Sequence, residues 1–120
     1  MKKIEAIISP SKIEAVKNAL AKIGIQRMRI SKVDEFGSQH GHKEIYRGKT
    51  YVVDVIKEFK IELIVTSDEM LSQVIETTEK TIKTESMGDE EIFVSSVEKA
   101  MRVRTGEHGR DAMSWFHASI

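Results

Sequence analysis

The sequence predicts one α+β domain with its elements in the order βαββαβ, split between the second and third strands by a long polar segment. Three observations carry this. Apolar residues alternate with polar ones in three short stretches and run together in a fourth, two amphipathic helical stripes separate those stretches, and apolar periodicity vanishes from Asp34 to Lys49.

The elements follow in order. Ile4, Ala6 and Ile8 alternate with Lys3 and Glu5, the period of two that marks a strand. Ser9-Pro10-Ser11 breaks it, and Ser11 and Glu14 stand in capping-box spacing. Ile13, Val16, Leu20 and Ile23 then share one helical face, and Gly24 sits where a left-handed C-terminal cap belongs. Residues 25–33 suit a strand with one wet face, Met28 and Ile30 set against Arg27, Arg29 and Ser31. The polar segment, roughly Phe36 to Tyr51, holds glycines, histidines and mixed charges. Hairpin loops usually run about 2–5 residues, so a segment this long points to function.

Strand character resumes at Tyr51-Val52-Val53, and Phe59, Ile61, Leu63 and Val65 alternate with Lys60 and Glu62. Thr66 to Glu69 forms a second capping box, followed by a stripe of Leu71, Val74, Ile75, Thr78 and Ile82. Residues 84–91 are polar around Gly88, and Ile92-Phe93-Val94 is a short strand. Residues 1–112 are read as the domain and 113–120 as a C-terminal tail, with no element assigned beyond Ser95. The order is that of a ferredoxin-like, split-βαβ fold, whose helices cover one sheet face. Apolar residues at both parities, Ile7 beside Ile8 and Ile64 beside Val65, imply that the second face is covered by a partner subunit.

Bulk properties narrow the function. A chain of 120 residues, 40% hydrophobic and 32% charged, fits one domain. Nineteen basic and nineteen acidic residues give zero formal charge, which argues against nucleic acid or anionic lipid as a partner. Without cysteine there is no disulfide, thiolate nucleophile or cysteine metal site. The opening MKKIEAIIS has no apolar run of signal-peptide length, so a soluble, cytoplasmic protein is expected.

Several motifs fail on inspection. Gly48-Lys49-Thr50 lacks the earlier glycine of a phosphate loop, Lys43 standing there, and a strand rather than a helix follows. His40 and His42 lack a third ligand at metal-site spacing, so no metal is assigned. Arg47 to Val52 overlaps an RNA-recognition octapeptide, but Lys49 and Asp54 occupy its stacking positions. No catalytic set emerges, and the chain is read as a non-enzyme.

Three further segments, in the right order, resemble the PII nitrogen-regulatory signalling proteins. FGSQHGHKEIYRGKTYVVD resembles the family's T-loop, TESMGDEEIFV its B-loop and RVRTGE its C-loop. The likeness runs from MKKIEAII to MRVRTGEHG, most of the chain. It implies a homotrimer binding adenine nucleotide, ADP or ATP, in clefts between subunits. The T-loop, including His40, His42, Tyr46, Arg47, Gly48 and Lys49, would meet a protein target such as an ammonium transporter or a nitrogen-assimilation enzyme or regulator. A membrane would be met only through such a transporter. Carried across by position, Gly37 and Gln39 would contact nucleotide or metal at the loop base. Ile7, Glu62, Gly88 and Asp89 would line the nucleotide site, Arg102 and Arg104 would meet phosphates, and Tyr51 would be the residue uridylylated in some members.

Departures from the family pattern imply altered ligand control. Ser38 replaces the usual arginine, and the usual Gly-Asp-Gly-Lys turn reads Gly88-Asp89-Glu90-Glu91. Like charges near 4 Å repel by about 1 kcal/mol in water and about 4 kcal/mol at an effective dielectric of 20. Triphosphate binding is therefore expected to weaken unless Arg29 or another cation compensates. Ser9 and Glu58 replace basic residues of the 2-oxoglutarate site, so that ligand is not expected.

Overall fold

The computed structural model describes residues 1–36, 42–46, 49–53, 55–83 and 90–113, with the backbone alone for 42–46 and 49–53. Its elements are β1 (Lys2–Ile8), α1 (Ile13–Lys22), β2 (Arg29–Phe36), β3 (His42–Tyr46), β4 (Lys49–Val53), β5 (Val55–Val65), α2 (Asp68–Lys83), β6 (Glu91–Ser96) and α3 (Arg110–Met113). Four strands form an antiparallel sheet in the order β2-β5-β1-β6. This is the ferredoxin-like α+β arrangement expected from the element order.

The strand alternation does what its period demands. Ile4, Ala6 and Ile8 of β1 and Ile61, Leu63 and Val65 of β5 are buried on the helix-covered face. Against them pack Ile13, Val16 and Leu20 of α1 and Val74 of α2. Each such aliphatic side chain contributes about 1.5–3 kcal/mol when fully buried. Alpha1 ends as predicted: Gly24 has φ +99°, its N–H bonds Ala21 O, and Ile25 N–H bonds Leu20 O. This pair of bonds closes the last helical turn, and only a residue tolerant of positive φ fits there.

Four expectations are corrected. The first capping box does not form. Lys12 is the N-cap residue and makes no side-chain cap, while Ser11 Oγ lies 3.3 Å from Ser9 Oγ. Lys12 instead sends its side chain inward, which moves the helix start past Ser11. In the second box the cap is Ser67, not Thr66, because Ser67 Oγ accepts the Met70 N–H at 3.2 Å.

The second strand begins at Arg29 and runs to Phe36, later than residues 25–33 suggested. Its side chains are almost all exposed, so no burial pattern marks it. Backbone pairing with β5, from Arg29↔Glu62 to Phe36↔Val55, defines it instead. The polar segment is also not without structure, since β3 and β4 pair antiparallel within it, Glu44 opposite Tyr51.

The unassigned region after Ser95 is tied down. Met101 bridges to His108, Arg102 N–H bonds Glu107 O, and Gly109 N–H bonds Ala100 O. Arg110 donates to Thr66 O at 2.8 Å, and Ala112 of α3 is fully buried.

Candidate functional site

On the sheet face that α1 and α2 leave open, β1 and β5 carry charges in register. Glu5 stands directly opposite Glu62, a repulsive cross-strand pair by itself. Lysines on the diagonals offset it: Lys3 Nζ is 2.8 Å from Glu62 Oε2, and Lys60 Nζ is 3.8 Å from Glu5 Oε2. The hydrogen bond from Lys3 holds the Glu62 carboxyl below its ordinary value, with help from the positive charges of Lys3, Lys60 and Arg29. The same bond raises Lys3. Ile7, half-buried, continues this face between Lys60 and Glu91.

Glu62 also lines a cavity of about 370 Å³. It is lined by three segments, residues 27–29, residues 62–64, and residues 99–101 with Met113. The sheet register explains the meeting of the first two segments, since Arg29 is paired with Glu62 across β2 and β5. The third is delivered by the Met101–His108 bridge and by α3, which fix the chain after β6. Arg27 is held below the usual arginine value, first by burial and then by repulsion from Arg29 and Arg102. Arg27 is therefore close enough to both Arg29 and Arg102 to feel their charge.

Of the residues expected to bind nucleotide, Glu62 lines the cavity and Arg102 adjoins it, its Nε donating to Ala112 O at 2.6 Å. Ile7 lies on β1, outside the lining, and Arg104 sits on an exposed turn outside it too. Gly37, Gln39, Gly88 and Asp89 lie outside the described residues, as do His40, Arg47 and Gly48. His42, Tyr46, Lys49 and Tyr51 are placed on the β3–β4 pair by backbone only, Tyr46 opposite Lys49.

Sequence reading missed Arg27, Lys99, Met101 and Met113 as cavity residues. The available signal was the Arg27-Met28-Arg29 triplet, two cations flanking an adaptable apolar side chain. What it did not reveal was which distant segments would close over it.

Beside the segment 84–89, which lies outside the described residues, the carboxylate of Glu90 turns into the fold. Its Oε1 is 3.3 Å from Lys12 Nζ, and both side chains are buried, at 5% and 7% exposure. Lys12 Nζ also donates to Ile82 O at 3.0 Å. Glu90 is thus paired inside the fold, with Lys12 supplying its counter-charge. Glu91 remains exposed at the head of β6. Glu58 is buried on β5 opposite Val33, while Lys57 points away to an exposed pair with Asp34 at 3.7 Å. That divergence of neighbours is the strand alternation expected.

Comparison with known proteins identifies the family. The family model described as nitrogen regulatory protein P-II matches residues 1–107. Proteins of that name from Rhodobacter capsulatus, Cereibacter sphaeroides and Rhodospirillum rubrum are 50%, 48% and 47% identical to this chain. Each alignment covers 113 residues, 94% of this chain and 100% of the relative. The chain belongs to the nitrogen regulatory protein P-II family, a family of regulators rather than enzymes.

Proposed function

We propose that this chain works as a trimer which binds adenine nucleotide at the cavity beside Glu62 and presents residues 36–51 to a target protein in nitrogen metabolism. An ammonium transporter or a nitrogen-assimilation enzyme is the kind of target meant. One geometric relation carries the reading. The cavity meets β2 at Arg29, whereas the loop leaves β2 at Phe36. Seven residues of strand separate them, roughly 23 Å at 3.3 Å per residue. A nucleotide that met both the cavity and the end of β2 at Phe36 would therefore span two copies of the chain. Nucleotide bound there would bias loop position through differential affinity for two subunit arrangements.

Ligand control in this member is altered. Glu91 puts an exposed carboxylate where the family carries a phosphate-binding lysine, and Glu58 is buried where a 2-oxoglutarate counter-ion belongs. Calorimetry on the trimer is expected to show ADP binding, weaker ATP binding, and no tightening of ATP by 2-oxoglutarate. Micromolar ATP affinity that 2-oxoglutarate improves would overturn the altered-control reading. Light scattering that finds a monomer would overturn the two-copy site.

The buried Lys12–Glu90 pair and buried Glu58 also favour a second reading, in which the fold senses a less charged nucleotide for a target outside nitrogen metabolism. A thermal-shift comparison of ADP, AMP and cyclic nucleotides separates the two, since the second requires a larger shift with AMP or a cyclic nucleotide than with ADP. Tyr51 is the modification candidate, and intact-mass measurement after incubation with a uridylyltransferase and UTP tests it.

A further inference from the structure

The chain continues past the wall of the cavity. Met113, the last residue of α3, lines it together with Met28, Leu63, Ile64, Ala100 and Met101. The point of exit is fixed. Ala112 is fully buried, its carbonyl accepts the Arg102 Nε–H at 2.6 Å, and Arg110 ties α3 to Thr66 O. The tail, residues 114–120, lies outside the described residues, and its first residue follows one that forms the cavity wall.

The tail reads SWFHASI. In a chain that is 32% charged it has no Asp, Glu, Lys or Arg, so it is not the solvated polar end that a free terminus usually carries. It holds the chain's one tryptophan, Trp115, with Phe116 beside it. These residues fall beyond the length shared with the relatives described above, so a function common to the family leaves them unexplained.

The cavity wall suits their rings. Met28, Met101 and Met113 offer thioether sulfurs, which make favourable contacts with aromatic rings and adapt to their shape. Arg29 and Lys99 stand in the same lining, and a cation over an indole face is attracted to it. Met101 is 53% exposed, a large apolar side chain that the described residues leave half uncovered. Trp115 is two residues beyond Met113, within about 7 Å along an extended chain, and Phe116 is within about 11 Å. A tether that short holds the rings at roughly millimolar effective concentration, so even a weak contact is occupied.

We propose that the tail folds back into the cavity of its own chain, with Trp115 and Phe116 against Met28, Met101 and Met113, and so competes with the ligand the cavity takes. The competition rests on the nucleotide reading above; the docking does not.

Tryptophan fluorescence of the full chain tests the docking. Without ligand, Trp115 is expected to emit at shorter wavelength than N-acetyltryptophanamide and to be shielded from acrylamide, at every protein concentration. Met101→Glu puts a carboxylate into the apolar wall and should return emission and quenching to those of the free compound, while Met101→Leu should keep the parent's. An unchanged unfolding midpoint in both variants separates release of the tail from loss of fold. A parent chain whose Trp115 behaves like the free compound overturns the docking. So does shielding that Met101→Glu leaves intact, because the ring then sits elsewhere, and shielding that fades on dilution, because the ring then sits in a second copy.

Calorimetry with ADP tests the competition. Trp115→Ala should tighten ADP by about 10-fold, the gain when a segment that fills the cavity about nine-tenths of the time is removed. ADP should also move the parent's emission toward that of the free compound. Shielded Trp115 in a chain that binds no ADP overturns the nucleotide reading and leaves the docking standing. Equal ADP affinity in the parent and Trp115→Ala overturns the competition and leaves the nucleotide reading standing.

Discussion

Lys12 and Glu90 form a buried ion pair that ties the start of α1 to the entrance of β6, with Nζ 3.3 Å from Oε1. The lysine also bonds Ile82 O near the end of α2, so one ammonium joins three segments distant in sequence. Glu90 Oε2, equally buried, accepts no hydrogen bond from the described residues. Pairs of this kind are worth less than their Coulomb attraction suggests, because both charges have left water. Breaking one is costly all the same.

Removing one partner should therefore cost more than removing both. Lys12→Met leaves a buried carboxylate uncompensated and should lower stability by about 3–5 kcal/mol. The double variant Lys12→Met with Glu90→Leu should recover most of that loss. Urea unfolding of the parent, both single variants and the double variant checks this, and a double variant as weak as Lys12→Met alone would contradict it.

The two helix starts make opposite predictions from similar sequence. Ser67→Ala removes the observed cap of α2 and should cost about 1 kcal/mol. Thr66→Ala and Ser11→Ala remove no cap and should each cost much less. Thermal unfolding of the three variants ranks them directly.

The core should respond as a close-packed one. Leu20 is fully buried between α1 and the sheet, so Leu20→Ala should cost about 2–5 kcal/mol. Chemical denaturation measures it, with an unchanged m-value showing that the fold persists.

The Lys3–Glu62 pair sets a pH window. Glu62 is held below its ordinary 4.5, so its contribution is present above that value and is lost as pH falls through the lower folded value. Lys3 is raised above its ordinary 10.5, so its contribution is present below that value and is lost as pH rises through the higher folded one. Lys3→Met should reduce stability at neutral pH and make the acid decline shallower, with Lys60 and Arg29 still facing Glu62. Melting curves from pH 3 to 7 test the slope. Added salt should shrink the difference between parent and variant, because the pair is only half-buried.

By itself the sequence determined the sheet's inner face, both helices and the cap at Gly24. Those features rest on local periodicity and on one backbone conformation that few residues but glycine adopt. It also marked the polar segment from Phe36 to Tyr51 as the place for function. Tertiary structure alone decided the rest. Beta2 is held by pairing with β5 and not by burial of its own side chains, so the alternation of Met28 and Ile30 announced a strand there but not its bounds. Glu90 faces inward because Lys12, 78 residues away in sequence, meets it there. Arg27, Glu62 and Met101 share one cavity only because strand register and a late bridge bring them together. Contacts between residues that far apart depend on how the elements pack, and spacing along one chain carries no record of that.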